Sequence, residues 1–413
     1  MKNKYKIYFS IYCIILYTMI RGGILIIMPI VPFLFAFFFE MKINKRIFDI
    51  YISISILSSL IALISQWGDV ENILLSFWLL TPLIWLFLSK PTVPNKHFDM
   101  EMFVSYTSWF LIIVDVVGIV SYEQAGNTLV LVYGKHYEMV HGLAMINIIY
   151  LFYYGNKLYK RKGSTMDWGK AIFFFIIFFM CDYGVGKMCL MGTIGIYIAI
   201  HRKIRYLLLL GIAIFAWTYI AQSEYFDTEI RQLNEIKENE DNARKYLMYS
   251  GLPSFFSENP SAVFWGCGPG CYNSRATQLL DPDADNVFTD LLDNHSPYWY
   301  RKYIYPLWNS TFVSQASYTD GTRNKPFSSF VAMLCEQGFI VTFLIFGLWI
   351  KRIIFYVKNE EENEIYSILL WMNIFFFISC IVHEWMVCTE FIVYLTFEFG
   401  LKNALLKHKC KTL

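Results

Sequence analysis

Charged residues are scarce in this sequence. Asp, Glu, Lys and Arg make up 16% of its 413 residues, whereas an ordinary soluble domain has roughly 25%. Hydrophobic residues make up 56% and aromatic residues 19%, so the composition excludes a soluble enzyme, a disordered protein and a disulfide-rich secreted domain. The formal net charge of +2 gives no strongly basic face, and nucleic acid is therefore not an expected partner.

Signals for metal binding, processing and internal symmetry are also missing. The nine cysteines form no pair of CxxC motifs, and no acidic cluster has the spacing of metal ligands, so neither a metal nor another cofactor is expected. No small-residue cleavage site follows the first apolar run, which we interpret as a retained membrane helix rather than a signal peptide. No internal repeat is visible, which argues against transporters built from inverted repeats.

Long apolar runs predict about twelve membrane-spanning helices in an all-α polytopic membrane protein. A span needs about 20 mostly apolar residues, and the hydrophobic residues suffice for about a dozen. The connections alternate between rich and poor in Lys and Arg, which by the positive-inside rule places both termini in the cytoplasm. The predicted spans are 5–20, 24–40, 47–65, 73–89, 102–121, 137–154, 169–184, 187–200, 205–221, 327–350, 365–382 and 386–401.

One connection, residues 222–326, is far longer than the others and is predicted to lie outside. It carries nine basic and fourteen acidic residues, a net charge of −5. Loops of this length are uncommon and often functional, and the aromatic residues of this one can pack a small domain, with a helix expected from about 228 to 250. The chain therefore divides into nine spans (1–221), a large external loop (222–326), and three spans with a cytoplasmic tail (327–413).

Arg244 is the first candidate for substrate binding. It lies in the helical stretch Ala243–Leu252, which leads into the glycine-rich turn Gly266–Gly270. An arginine binds phosphate through two parallel hydrogen bonds, and glycines allow close backbone approach and positive φ. One interpretation is an arginine placed over an anionic, lipid-linked substrate. The other is a solvated helix arginine paired with Glu240.

This arrangement resembles the external loop of the O-antigen ligase and polymerase superfamily: an arginine, an apolar helix, a short gap and a Gly-x-Gly-x-Gly-like turn. The stretch Phe327–Ile340 is similar to the family's tenth span, with an apolar run, an acidic residue (Glu336), one spacer and Gly338. The predicted spans and the large loop also match. The resemblance implies a GT-C-like membrane fold and a metal-independent glycosyltransferase that uses sugars carried on undecaprenyl pyrophosphate.

Ligases of the superfamily typically carry a His-Asn pair about eleven and ten residues before this glycine, where this chain has Phe327 and Ser328. The resemblance therefore favours a Wzy-type polymerase, which joins repeat units into O-antigen or a related surface polysaccharide. It implies undecaprenyl-pyrophosphate-linked oligosaccharides, membrane lipid and a chain-length regulator protein as partners, and the bacterial inner membrane, with the loop in the periplasm, as the location. An O-antigen ligase and a lipid-linked oligosaccharide flippase or transporter are the alternatives.

Two further cations lie at predicted outside turns. Lys187, in Asp182–Leu190, resembles the family's Ser-Arg-Gly turn, with Lys in place of Arg and Met in place of Gly. Arg21 is followed by two glycines at the turn of the first hairpin. Both are candidate contacts for phosphate or sugar. Alternatively, Lys187 extends to the lipid headgroups, and Arg21 anchors the chain to them.

Glycosyl transfer needs a base for the attacking hydroxyl and cations for the leaving pyrophosphate. The candidate bases are His295, Asp320 and Glu336, and Glu336 has the alternative role of a buried structural acid that pairs with an arginine. Arg323, just before the tenth span, and Arg301 are further candidate cations. The aromatic residues of this segment either stack on sugars or form a belt at the membrane interface.

Asp115 lies within the fifth predicted span. An intramembrane carboxylate costs roughly 2.5–3.5 kcal/mol at a helix centre, so we expect it to face the bundle interior. One interpretation is a proton-carrying residue of a transporter. The other is a structural Asp that is hydrogen-bonded to a neighbouring Tyr or Ser.

Cys267 and Cys271 flank a Gly-Pro-Gly turn. Such a turn would bring their thiols within bonding distance, so a disulfide and two free thiols are both compatible with an oxidising periplasm.

Overall fold

The computed structural model describes residues 30–32, 39–120, 138–160, 163–181, 183–201, 211, 244–284, 286–308 and 325–412. These residues are mostly helical. They include five helices that are long and apolar enough to cross a membrane, as expected for an all-α membrane protein. The predicted span 5–20, most of 24–40 and most of 205–221 lie outside the described residues.

The long helices begin within a few residues of predicted spans, because the same apolar runs determine both. Two of them, the tenth and twelfth predicted spans, continue well past the apolar run into polar sequence. In chain order the helices are α1 Lys45–Ile64, α2 Val70–Leu88, α3 Met100–Val120, α4 Glu138–Tyr159, α5 Thr165–Met180, α6 Gly184–His201, α7 Arg244–Ser250, α8 Leu252–Glu258, α9 Ala262–Trp265, α10 Arg275–Leu279, α11 Val287–Leu292, α12 Tyr298–Tyr303, α13 Tyr305–Trp308, α14 Ser329–Asn359, α15 Glu364–Val382 and α16 Thr389–Thr412. The five candidate spans are α1, α2, α6, α14 and α15.

Two short strands add to the helices and were not predicted. Strand β1, Met41–Ile43, pairs antiparallel with β2, Ser89–Pro91, so that Lys42 lies opposite Lys90. Both strands lie in Lys-containing connections that we predict to be cytoplasmic. The pair therefore joins the start of α1 to the end of α2 on that side.

The described part of the long loop folds into short helices around an aromatic core. Phe255, Tyr272 and Trp299 are buried there and pack against Val331 and Cys335 of α14. Ring centroids of Phe255 lie 4.7 Å from Tyr272 and 5.2 Å from Trp299. The loop therefore packs directly on the tenth predicted span.

A buried ion-pair network lies at the other end of α14. Arg352 donates through Nη1 to both carboxylate oxygens of Glu398, at 2.9 and 3.2 Å, and through Nη2 to the carbonyl of Phe87 at 2.9 Å. Lys402 lies 2.5 Å from Glu398, and Tyr356 donates to it at 3.1 Å. The network joins α2, α14 and α16.

Candidate functional site

Glu336 holds the glycine-rich turn through backbone hydrogen bonds. Its Oε2 accepts from the N–H of Gly270 at 2.6 Å. Its Oε1 accepts from the N–H groups of Tyr272, Asn273 and Ser274 at 3.0, 3.1 and 3.0 Å. Only 1% of the residue is exposed. Because both oxygens accept from backbone amides, the geometry favours the structural alternative for Glu336, with backbone in place of an arginine as its hydrogen-bond partner.

Two glycines allow the turn and α14 to touch. Gly338 has φ 77° and ψ 175° and interrupts α14, and a Cβ there would lie 2.2 Å from the carbonyl oxygen of Phe264. Gly266 also has φ 77°, and a Cβ there would lie 2.1 Å from the carbonyl oxygen of Glu336. Both positions need glycine for conformation and for space. The acid-spacer-glycine pattern and the glycine-rich turn therefore form one structural unit.

The two cysteines of the turn are free thiols. Cys267 and Cys271 are buried and unbonded to each other, and the thiol of Cys271 donates to the carbonyl of Pro269 at 3.6 Å. Burial raises the pKa of both thiols well above the ordinary value. They are therefore protonated at neutral pH and weak nucleophiles.

Four cations come together beside Trp308 and the connection between α15 and α16. We call Arg244, Lys245, Arg275 and Lys325 the cation cluster. The guanidinium of Arg244 and the ammonium of Lys325 lie 5.7 and 5.2 Å from the ring centroid of Trp308, within cation–π range. Lys245 donates to the carbonyl of Phe327 at 3.1 Å, which fixes α7 against the start of α14.

Arg275 forms an ion pair within the cluster. Its Nη1 donates to Glu384 at 3.1 Å and to Gln278 at 2.9 Å, and Gln278 donates to the other oxygen of Glu384. Arg275 and Glu384 line a cavity of about 20 Å³, which has room for about one water molecule. Glu390 adds a second carboxylate charge near Arg275.

His383 lies among these charges and remains neutral. Burial and the charges of Lys245, His141, Lys325 and Arg275 lower the pKa of His383 well below its ordinary value. Its Nδ1 accepts from the N–H of Glu384 at 2.9 Å, so the ring proton is on Nε2. His383 is thus a hydrogen-bond donor at this site.

The cluster carries more positive than negative charge. Burial, opposed by Glu384, lowers the pKa of Lys245 to about 8 and lowers the pKa of Lys325, yet Lys245 remains mainly charged at pH 7. Glu384 lies near Lys245, Lys325 and Arg275, and Glu390 lies near Arg275. Cations in this arrangement suit a multivalent anion such as pyrophosphate.

Three further predicted site residues lie in the described part of the chain. Lys187 is buried in the first turn of α6, one turn after Tyr183, whose hydroxyl accepts from Trp385 Nε1 at 2.7 Å. The ring of His295 bonds the carbonyl of Leu292 at 2.7 Å and lies 3.8 Å from Glu71. Arg301 is exposed and donates to the carbonyl of Ser296 at 2.9 Å.

The remaining predicted site residues, Arg21, Asp320 and Arg323, lie outside the described residues. Asp115 is fully buried in α3, beside Asn147 of α4. Its position in the bundle interior agrees with the prediction from its membrane depth.

Sequence reasoning missed five members of this site: Lys245, Arg275, Lys325, His383 and Glu384. The three cations were visible only as unremarkable charges of the long loop. His383 and Glu384 had one signal that could have found them, a polar pair in a short connection between two apolar spans predicted to lie outside.

No group of three or more His, Cys, Asp or Glu residues within the described ranges is arranged to hold a metal ion. Comparisons of the whole chain with protein-family models, with curated proteins and with solved structures each found no match.

Proposed function

We propose that this chain is a membrane-embedded glycosyltransferase that joins undecaprenyl-pyrophosphate-linked oligosaccharide repeat units into O-antigen or a related surface polysaccharide. The observation that carries this proposal is the convergence of four cations in the cation cluster, of which Arg244 and Lys325 are buried and Lys245 and Arg275 half-buried. The cluster lies at the ends of apolar helices. A prenyl pyrophosphate has the matching chemistry, because its anionic head needs cations and its hydrocarbon tail needs an apolar surface beside them.

In the proposed reaction, a hydroxyl of the incoming unit attacks the anomeric carbon of the sugar that carries the growing chain's pyrophosphate. The bond between that carbon and the pyrophosphate oxygen breaks, and undecaprenyl pyrophosphate leaves with the electron pair. Arg244, Lys245 and Lys325 neutralise the leaving group, and His383 donates to it from Nε2. The hydroxyl proton passes to a carboxylate, for which Glu384 and Glu390 are the described candidates.

The location and partners follow from this reaction. We place the chain in the bacterial inner membrane, with about twelve spans, both termini in the cytoplasm and residues 222–326 in the periplasm. Arg21, Lys187 and Arg323 remain proposed contacts of the lipid-linked substrate. A chain-length regulator protein is the proposed protein partner.

One observation favours this function over that of a ligase. Phe327 occupies the position of the ligase histidine, its side chain is fully buried, and its carbonyl accepts from Lys245. This position therefore offers no ionisable side chain. The buried Asp115 beside Asn147 is the observation that favours a transporter.

Deletion of the gene in the native host, read as surface glycan on a silver-stained gel, tests the proposal. We expect core that bears a single repeat unit and no ladder. Complementation with Arg244→Ala should leave polymer at least ~100-fold below wild type at normal protein level. Tyr246→Ala, an exposed position on the same short helix, should restore the ladder.

The other outcomes identify the alternatives. A ladder that persists on undecaprenyl lipid but not on core would indicate a ligase. Lipid-linked units trapped on the cytoplasmic side would indicate a flippase. Normal chain lengths with Arg244→Ala would remove this arginine from the mechanism.

A further inference from the structure

A groove of about 390 Å³ lies at the turn between α1 and α2, and this volume is within the range of small-molecule sites. We call it the outer groove. Its two walls are residues 66–69 and residues 296–298, with Arg301 and Lys302 at one end. The N–H of Tyr298 donates to the carbonyl of Trp67 at 2.9 Å and joins the walls. None of its lining residues belongs to the cation cluster.

Aromatic rings form part of this groove. Trp67 packs edge-on against the buried Trp299, with ring centroids 5.7 Å apart, so its position is fixed. Tyr298 is 46% exposed. Sugar rings present a face of C–H groups that packs on aromatic rings, while their hydroxyl groups need polar partners at the edge. A fixed Trp and an exposed Tyr provide such a surface.

The groove also has polar groups that the fold does not use. Asp69 precedes α2, but its carboxylate makes no capping hydrogen bond to that helix. The hydroxyl of Ser296 is buried and has no hydrogen-bond partner within the described structure. A buried polar group without a partner is costly. A ligand hydroxyl would satisfy Ser296 and would donate to Asp69.

The charges of the groove balance one another, in contrast to the cation cluster. Lys302 pairs with Glu258 and lies 6.0 Å from the ring centroid of Tyr298. This pairing leaves Arg301 and Asp69 as one cation and one anion that line the groove. An uncharged, hydroxyl-rich ligand fits this balance better than a second phosphate.

The buried aromatic core lies between the two sites. Trp67 contacts Trp299, Trp299 contacts Phe255, and Phe255 contacts Tyr272, which lies three residues before Arg275. We propose that the outer groove binds sugar residues of the oligosaccharide remote from the pyrophosphate, and that Trp67, Asp69, Ser296 and Tyr298 are the contacts. This inference rests on the proposed function, because it names the glycan subsite of that substrate.

Binding of a phosphate-free oligosaccharide to the purified full-length protein tests the groove. The probe is the repeat-unit oligosaccharide released by mild acid from the host's lipid-linked units, labelled with a fluorophore and followed by anisotropy. We expect Tyr298→Ala to weaken binding at least tenfold and Asp69→Asn about fivefold. Tyr298→Phe keeps the ring and should bind normally. Tyr246→Ala, an exposed position outside the groove, should leave oligosaccharide binding unchanged, and equal thermal unfolding midpoints would show that the variants are folded.

Oligosaccharide binding that is unaffected by Tyr298→Ala and Asp69→Asn in folded protein would overturn the inference. Binding of inorganic pyrophosphate that falls in these same variants would also overturn it, because the groove would then be an anion site. The two proposals fail separately. If gene deletion abolishes the ladder but the groove variants bind oligosaccharide normally, the proposed polymerase function stands and the proposed glycan site in the groove is wrong. If the groove variants weaken oligosaccharide binding but gene deletion leaves the ladder intact, the proposed polymerase function is wrong and the groove stands as a glycan-binding site.

Discussion

The two ends of helix α14 each hold a buried charged group, and they hold it differently. At one end Glu336 accepts hydrogen bonds from four backbone N–H groups. At the other end Arg352 binds the carboxylate of Glu398 and a backbone carbonyl, and Lys402 completes that network. The carboxylate at the first end is satisfied by neutral amides, whereas the one at the second end is satisfied by cations.

This difference separates two ways of holding a buried carboxylate. Glu336 accepts its described hydrogen bonds from backbone N–H groups. Around Glu398, by contrast, both nearby cations pair with the same carboxylate, so the network has the form of a structural clamp. We therefore expect changes near Glu398 to act on the amount of folded protein and changes in the cation cluster to act on turnover.

The largest effect should follow from Gly338→Ala. The residue has φ 77° and ψ 175°, a conformation that costs a residue with a Cβ roughly 1–3 kcal/mol, and the new methyl would overlap backbone of Phe264. We expect almost no folded protein in the membrane, measured by immunoblot and by thermal unfolding in detergent. Gly347→Ala is the matched control, because that glycine lies in the same helix with open space at its Cβ position. Wild-type levels of Gly338→Ala would contradict the close contact described for the turn.

A smaller effect is expected for Glu398→Gln. The change leaves the half-buried Arg352 and Lys402 without their buried carboxylate, which should lower the free energy of unfolding by about 3 kcal/mol. Polymer made per molecule of folded protein should be unchanged, in contrast to Arg244→Ala. Glu361→Gln, at an exposed position beyond the end of α14, serves as the control. A fall in turnover at constant protein level in Glu398→Gln would contradict our inference that this end of α14 acts on folding and the other end on catalysis.

The smallest effect should come from pH. The pKa of Lys245 is lowered to about 8 by burial, which Glu384 partly opposes, so its charge is present at pH 7 and mostly lost at pH 9. We expect affinity for inorganic pyrophosphate, measured by titration calorimetry, to fall up to about tenfold over this range. Pyrophosphate itself gains negative charge with rising pH, so a fall is attributable to the protein.

Lys245→Arg separates this explanation from others. Arginine stays charged at both pH values, so the variant should lose most of the decrease. An unchanged pH profile in Lys245→Arg would mean that another group titrates.

Local features of this chain could be predicted from the sequence, and contacts between distant segments could not. The apolar runs located α1, α2 and α15 because the membrane requires continuous hydrophobic stretches. The turn at Gly266–Gly270 and the pattern Glu336-x-Gly338 were each visible. Their contact was not, because the bonded groups are more than sixty residues apart and the amide donors carry no sequence signature.

The charged site illustrates the same limit. Arg244 was predicted from an apolar helix and a following turn, which are neighbours in sequence. His383 and Glu384 join it only because α15 ends beside α7, where Tyr249 donates to the carbonyl of Ile381. Nothing in a short polar connection indicates which loop residues will pack against it.

The break in α14 at Gly338 also determines where this chain can be cut and recombined. Beyond Gly338 the helix is about 30 Å long at 1.5 Å per residue, enough to cross the hydrocarbon core on its own. The preceding stretch, through Glu336, is bonded to the turn it supports. A chimera that grafts the long-loop module of one such protein onto another therefore needs its junction after Gly338. A junction at residue 326 would join the turn of one parent to the glutamate of the other.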